Sequence, residues 1–154
     1  MVNADDDVDG WSPQGPVTEL SADNAWALLN GDSFGRLGVS VNDQPKIFPV
    51  NYHADGKTVI FRTAAGTKLH DLMVNRTVVF EADAQKPTEA WSVVVTGNAS
   101  IVEDQDEILA ADRLPLPPWI PTQTYVFVRI TPTDIRGRLF QRHLHVERHG
   151  ADAG

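Results

Sequence analysis

The stretch from Gly35 to Thr63, GRLGVSVNDQPKIFPVNYHADGKTVIFRT, decides the fold. Apolar residues recur at every second position through Leu37, Val39 and Val41, the period of a half-buried strand over Gly35–Val41. Asn42-Asp43 is a turn signal, and Lys46–Tyr52 (KIFPVNY) reads as the next strand. Asp55-Gly56 is a two-residue hairpin signal, so Lys57–Thr63 (KTVIFRT) returns as a third strand. Connections this short join antiparallel neighbours, because a parallel crossover needs a dozen residues or more. Pro49 cannot donate to a ladder, so the middle strand lies at an edge or bulges there.

Upstream, Ser21–Asn30 (SADNAWALLN) predicts a short helix. Ser21 is its N-cap, Ala22, Trp26 and Leu29 share a face, and Asn30-Gly31 stops it. Downstream, Thr67–Val74 predicts a helix with Thr67 as N-cap and Leu69, Leu72 and Met73 on its apolar face. Arg76–Ala82 and Trp91–Val102 read as strands, the second interrupted at Gly97-Asn98 by a bulge or bend. Asp104–Asp112 reads as a helix, and Leu114–Pro121, with four prolines, as a loop. Thr124–Ile130 and Ile135–Phe140 are the last strands. The sum is about seven strands and three short helices, an α+β, mainly β fold. Its short connections favour an antiparallel sheet closed or nearly closed into a barrel.

The 154 residues suit one domain. We expect it over residues 17–140, preceded by a disordered acidic tail (1–16, with Trp11 as its one aromatic) and followed by a flexible His-rich tail (141–154). Twenty-one acids against 13 bases give a net charge of −8. Half of it sits in the tails, where Asp5, Asp6, Asp7, Asp9, Glu147 and Asp152 outnumber Arg142 and Arg148. Acidity argues against nucleic acid as a partner, since phosphate contacts need clustered cations. The absence of cysteine excludes disulfides, thiolate metal sites and a cysteine nucleophile. The opening residues carry aspartates where a secretory signal has basic residues, and no apolar run approaches the ~20 residues of a membrane span. A cytoplasmic protein without a membrane partner is the expectation.

Three segments could carry chemistry. In Phe61–Lys68 (FRTAAGTK) a strand runs through a small-residue loop into a helix. Small residues admit a ligand close to the backbone, and the first N–H groups of a helix lack internal partners. With Arg62, Thr63, Thr67 and Lys68 this makes a chemically complete phosphate cradle. The same residues also read as a surface turn with two solvated cations. In Phe48–Tyr52 (FPVNY), Pro49 frees neighbouring backbone groups, which could meet a flat heteroaromatic ring beside Val50 and the Asn51 amide. The competing reading is an edge strand guarded by proline. Trp91-Ser92 could stack on and bond to a ligand, or Trp91 could cap the core. His143, His145 and His149 read as solvated rather than as a metal site. No serine sits in a nucleophile-elbow pattern.

Taken in order, GRLGVSV, PKIFPVNY, DGKTVIFRTAAGTKLHDL, RTVVFEAD and WSVVVTGNASIV resemble the pyridoxamine 5'-phosphate oxidase-like proteins over about residues 18–140. The likeness is closest to the small flavin/deazaflavin oxidoreductase type that includes nitroimidazole-resistance proteins. The resemblance implies an FMN-binding split β-barrel with the flavin at the interface of a symmetric homodimer. It implies that the strand bearing Lys46, Pro49, Val50 and Asn51 runs along the isoalloxazine. It implies that Arg62, Thr63 and Lys68, with Thr67 beside them, hold the phosphate, and that Trp91 and Ser92 approach from the second subunit. The implied activity is a flavin-dependent oxidoreductase acting on a small molecule. Two departures matter. The last strand ends near Phe140 without the substrate-clamping segment of the true oxidases, so pyridoxal-phosphate synthesis is not expected. Lys68-Leu69 stands where the family has two cations. Deazaflavin F420 as cofactor, or a non-catalytic flavin- or haem-binding carrier or sensor, are the alternatives. The acidic body favours FMN over the polyanionic tail of F420.

Overall fold

The structure, a computed structural model, describes residues 17–64, 66–117 and 124–141. Trp11, the three tail histidines, Ala65 and the end of the proline-rich loop lie outside the described residues. The order of elements is β1 (Val17–Leu20), α1 (Ala22–Asn30), β2 (Phe34–Val41), β3 (Gln44–Ala54), β4 (Val59–Ala64), α2 (Thr67–Val74), β5 (Thr77–Gln85), β6 (Glu89–Ile101), α3 (Gln105–Asp112) and β7 (Tyr125–Gln141). All strand pairs are antiparallel, in the order β1-β7-β4-β3-β2-β5-β6. β7 also pairs with β6, so the hydrogen-bonded ladder runs round as a ring.

Local chemistry explains most of this. Asn42 and Asp43 take positive φ (52° and 60°) in the tight turn between β2 and β3, as a two-residue hairpin loop demands. The Ser21 hydroxyl accepts from Asn24 N at 3.2 Å and caps α1. Asp104 caps α3 by accepting from Glu107 N at 3.1 Å. Alternate residues of the strands point into the ring, where Leu37, Val50, Tyr52, Phe61, Phe80 and Val93 are almost fully buried. Burying each such side chain contributes roughly 1.5–3 kcal/mol. α1 lays Ala25 and Leu29 on this core, and the Tyr52 hydroxyl donates to the Leu29 carbonyl at 2.8 Å. A second cluster, of Ile60, Phe127, Val102, Ala111 and Leu116, lies under α3.

Several expectations need correction. β4 begins at Val59 rather than Lys57, because Asp55 builds a wider turn. Its carboxylate accepts from Lys57 N at 2.8 Å and from Thr58 N at 2.7 Å. These bonds hold the Asp55 carboxyl below its usual range against the opposing effect of its burial. The two final strands are one, the 17-residue β7. The irregularity near Gly97 leaves β6 continuous, because the unmatched residue, Thr133, is on β7: Thr96 faces Asp134 and Gly97 faces Pro132. Thr133 donates its hydroxyl to the Thr96 carbonyl at 3.1 Å. Thr67 is the first residue of α2 and not its cap. The N-cap is Gly66, which brings no side-chain hydrogen bond. The short β1 went unread, so the count of seven strands survives with a different membership.

Candidate functional site

β3 is paired with β2 from Gln44 through Asn51, but with β4 only at Tyr52, His53 and Ala54. Beyond the Tyr52–Phe61 rung the two strands part. The next rung would join Asn51 to Arg62, and it is not made. Among the described residues, one edge of β3 over residues 44–51 therefore faces no strand. Pro49 sits on that edge, exposed, as its missing N–H requires. α2 opens just past the end of β4, so the parting strands and the helix N-terminus meet in one place.

The candidate residues distribute around this opening. Val50 is buried in the core and its backbone faces β2, two residues from Tyr52, whose N–H donates to the Ser33 carbonyl; the free edge is carried by the backbone of Pro49 and Asn51. Asn51 turns to the outer side, where its amide donates to the Pro117 carbonyl at 3.0 Å. Arg62 and Thr63 point to opposite faces of β4. Thr63 is buried on the inner side and donates to the Ala64 carbonyl at 3.3 Å. Arg62 lies with its guanidinium 4.4 Å from the ring centre of Tyr125 and 5.4 Å from that of Phe127. Its Nε is buried with no hydrogen-bond partner among the described residues. Stacking on two rings fixes the guanidinium plane.

α2 is tied to the inner side of β3 by two contacts. The Lys68 ammonium stands 5.3 Å from the Phe48 ring centre. Its burial lowers the ammonium's pKa below the ordinary lysine value. One turn on, the buried Asp71 carboxylate binds Lys46 Nζ at 3.0 Å. Thr67 is exposed at the helix start. The first turn of α2 holds no acidic residue and no side-chain cap, so its N–H groups are open to an anion.

Trp91 and Ser92 are not brought to this opening within one chain. They pair with Leu139 and Arg138 at one end of β7, while Arg62 pairs with Phe127 near the other. At ~3.3 Å per residue the separation along β7 is roughly 40 Å. Trp91 is buried in the core, and Ser92 is half-buried on the outer face.

Two groups escaped the sequence reading. Asp71 is one. The other is a cross-strand cluster on the outer face of β2 and β5, where one Arg36 nitrogen binds Glu81 at 2.8 Å and Asp83 at 3.3 Å. Burial and a hydrogen bond with Asp83 push the Glu81 carboxyl up to about 7, against the opposing hydrogen bond from Arg36. The spacing of Glu81 and Asp83 on one face of a strand was the available signal. Their meeting with Arg36 depends on strand register.

Residues 21–139 match the family described as pyridoxamine 5'-phosphate oxidase. The chain belongs to that family. A candidate pyridoxamine 5'-phosphate oxidase from Corynebacterium glutamicum is 47% identical, with a TM-score of 0.76 over 82% of this chain and 99% of that one. The structure of the FAD-binding protein from Mycobacterium smegmatis is 40% identical, with a TM-score of 0.70 over 80% of this chain and 98% of that one. An uncharacterised protein of Mycobacterium tuberculosis is 34% identical over 135 residues, 82% of this chain and 88% of the relative.

Proposed function

We propose that this chain is a flavin-binding split β-barrel that holds FMN, or the FMN half of FAD, at the opening between β3 and β4. It acts as a flavin-dependent oxidoreductase on a small molecule. The observation that carries the reading is the meeting of three unsatisfied features there. These are the unpaired edge of β3, the buried Arg62 Nε without a partner, and the uncapped N-terminus of α2. An unmatched buried donor costs about 1–3 kcal/mol, so an acceptor belongs beside it. A phosphate meets Arg62 and the open N–H groups, and a flat ring meets the edge of β3. Lys68 adds charge at the same helix start, and Thr63 and Thr67 flank the loop between the strand and the helix.

Flavin supplies hydride and electron transfer when bound. The residues bind and orient: Arg62, Lys68 and the first turn of α2 take the anion, while β3 from Lys46 through Val50 runs along the ring and offers it the backbone of Pro49 and Asn51. The name of the 40% identical Mycobacterium smegmatis relative favours FAD as the natural occupant. Both flavins share the isoalloxazine, ribityl chain and first phosphate.

A homodimer completes this reading. Ile47 (70% exposed), Val79 (41%) and Val94 (37%) form an apolar outer face. There a cavity of about 540 Å³ is lined by Gly38, Ile47, Val79 and Thr96 among others. Patches of this kind mark interaction surfaces. Ser92 stands on the same outer face of β6 as Val94. A two-fold partner seated on this face delivers its own Trp91-Ser92 end toward the opening, which the same chain cannot reach. Among the described residues no helix is long and apolar enough to cross a membrane.

The test is the visible spectrum of the purified protein, followed by fluorescence titration of the apoprotein with FMN, FAD, riboflavin and deazaflavin F420. We expect FMN and FAD to bind at least tenfold more tightly than riboflavin. Arg62→Ala combined with Lys68→Ala should erase that difference. Equal affinity for riboflavin and FMN in the unmodified protein would remove the phosphate cradle. Binding of F420 alone would replace the cofactor.

A further inference from the structure

Asp71 is a carboxylate buried to 4% exposure in the last turns of α2. The partner that the described residues give it is Lys46 Nζ, at 3.0 Å. Lys46 itself is well exposed, with 41% of its side chain accessible. A buried carboxylate needs a counter-charge, and it is costly to leave alone. Asp71 therefore fixes an otherwise mobile lysine at one point. That point lies on the stretch of β3 that lacks a second strand, two residues from Phe48, which carries Lys68 on its ring.

We infer that Asp71 is a positioning residue that sets the charge felt by the bound flavin: it neutralises Lys46 and holds it beside the ring. The inference rests on the flavin reading above. Reduction of the flavin by two electrons from dithionite, with uptake of one proton from water, leaves a negative charge on the ring. An unneutralised Lys46 ammonium favours that form, and an unneutralised Asp71 carboxylate disfavours it. A paired Lys46–Asp71 does little either way.

The experiment is a potentiometric titration of the flavin-loaded protein in four versions: unmodified, Asp71→Asn, Lys46→Gln, and both together. Asp71→Asn is expected to favour reduced over oxidised flavin by about tenfold, which raises the midpoint potential by ~30 mV for two electrons. Lys46→Gln is expected to lower it by a similar amount, and the double variant to return near the starting value. A merely structural staple cannot give shifts of opposite sign that cancel. Equal potentials in all four, or shifts of the same sign in both single variants, would overturn the inference. If Lys46→Gln fails to fold because Asp71 is left alone, the Asp71→Asn protein and the double variant still decide. The first must rise and the second must not. Failure of the unmodified protein to bind any flavin is a separate result, and it sinks the flavin reading rather than the charge argument.

Discussion

Replacing Glu81 with Gln should flatten the dependence of stability on pH. In the folded chain the Glu81 carboxyl protonates near 7, against 4.5 for its ordinary value. Across that window the native state binds more protons than the unfolded state. The contribution of Glu81 to stability is therefore greatest below about 4.5, falls as pH rises, and reaches its floor above 7. The full shift corresponds to at most about 3 kcal/mol. The Glu81 side chain is 28% exposed and that of Asp83 42%, so solvent screens the site and about 1 kcal/mol is the realistic loss. Urea unfolding at pH 5, 6, 7 and 8 reads this directly, with protein concentration held constant. The difference between the unmodified and Glu81→Gln proteins isolates the share of Glu81. We expect the unmodified protein to lose about 1 kcal/mol more than Glu81→Gln between pH 5 and pH 8. Parallel curves for the two proteins would refute the reasoning, and so would a steeper fall in the variant.

Gly97→Ala should be severely destabilising. A Cβ there meets the Thr131 carbonyl oxygen and, at 2.9 Å, the Pro132 Cα, and backbone atoms cannot swing away as a side chain could. A loss of about 3 kcal/mol, roughly 10 °C in Tm, is expected by thermal melting. Ile47→Glu should turn a dimer into a monomer in light scattering without altering the far-UV dichroism; a dimer that persists would move the interface elsewhere. Asp104→Ala should cost about 1 kcal/mol in urea unfolding through loss of the α3 cap, and Asp104→Asn much less.

The meander of β2, β3 and β4 was legible because its alternation, its Asn42-Asp43 turn and Pro49 all point the same way. β7 was not, because Pro132 reads as a breaker. In the fold it sits beside the unmatched Thr133, where a strand tolerates a missing donor. β1 has four residues, the two central ones exposed, and so no period to read. At the site, Arg62, Lys68 and the edge of β3 could be named from local chemistry alone. Asp71 could not, since its meaning comes from Lys46, 25 residues away. Strand alternation already sets Arg62 and Thr63 on opposite faces of β4, but sequence could not show that Arg62 reaches the rings of Tyr125 and Phe127, or that α2 begins without a side-chain cap.

β7 is the last of the seven strands and pairs with three of the others, β1, β4 and β6. During synthesis all three must wait for it with bare edges. Each is a template for wrong pairing, and β1 waits longest, with more than a hundred residues made between Val17 and its partner Phe140. Such long-range closure is slow, because the loop entropy is spent before the contacts form. The late arrival of one strand thus leaves three edges of the nascent chain bare until the final strand is made. It also makes the segment from Tyr125 to Gln141 the stretch whose loss would leave β1, β4 and β6 each with an unpaired edge.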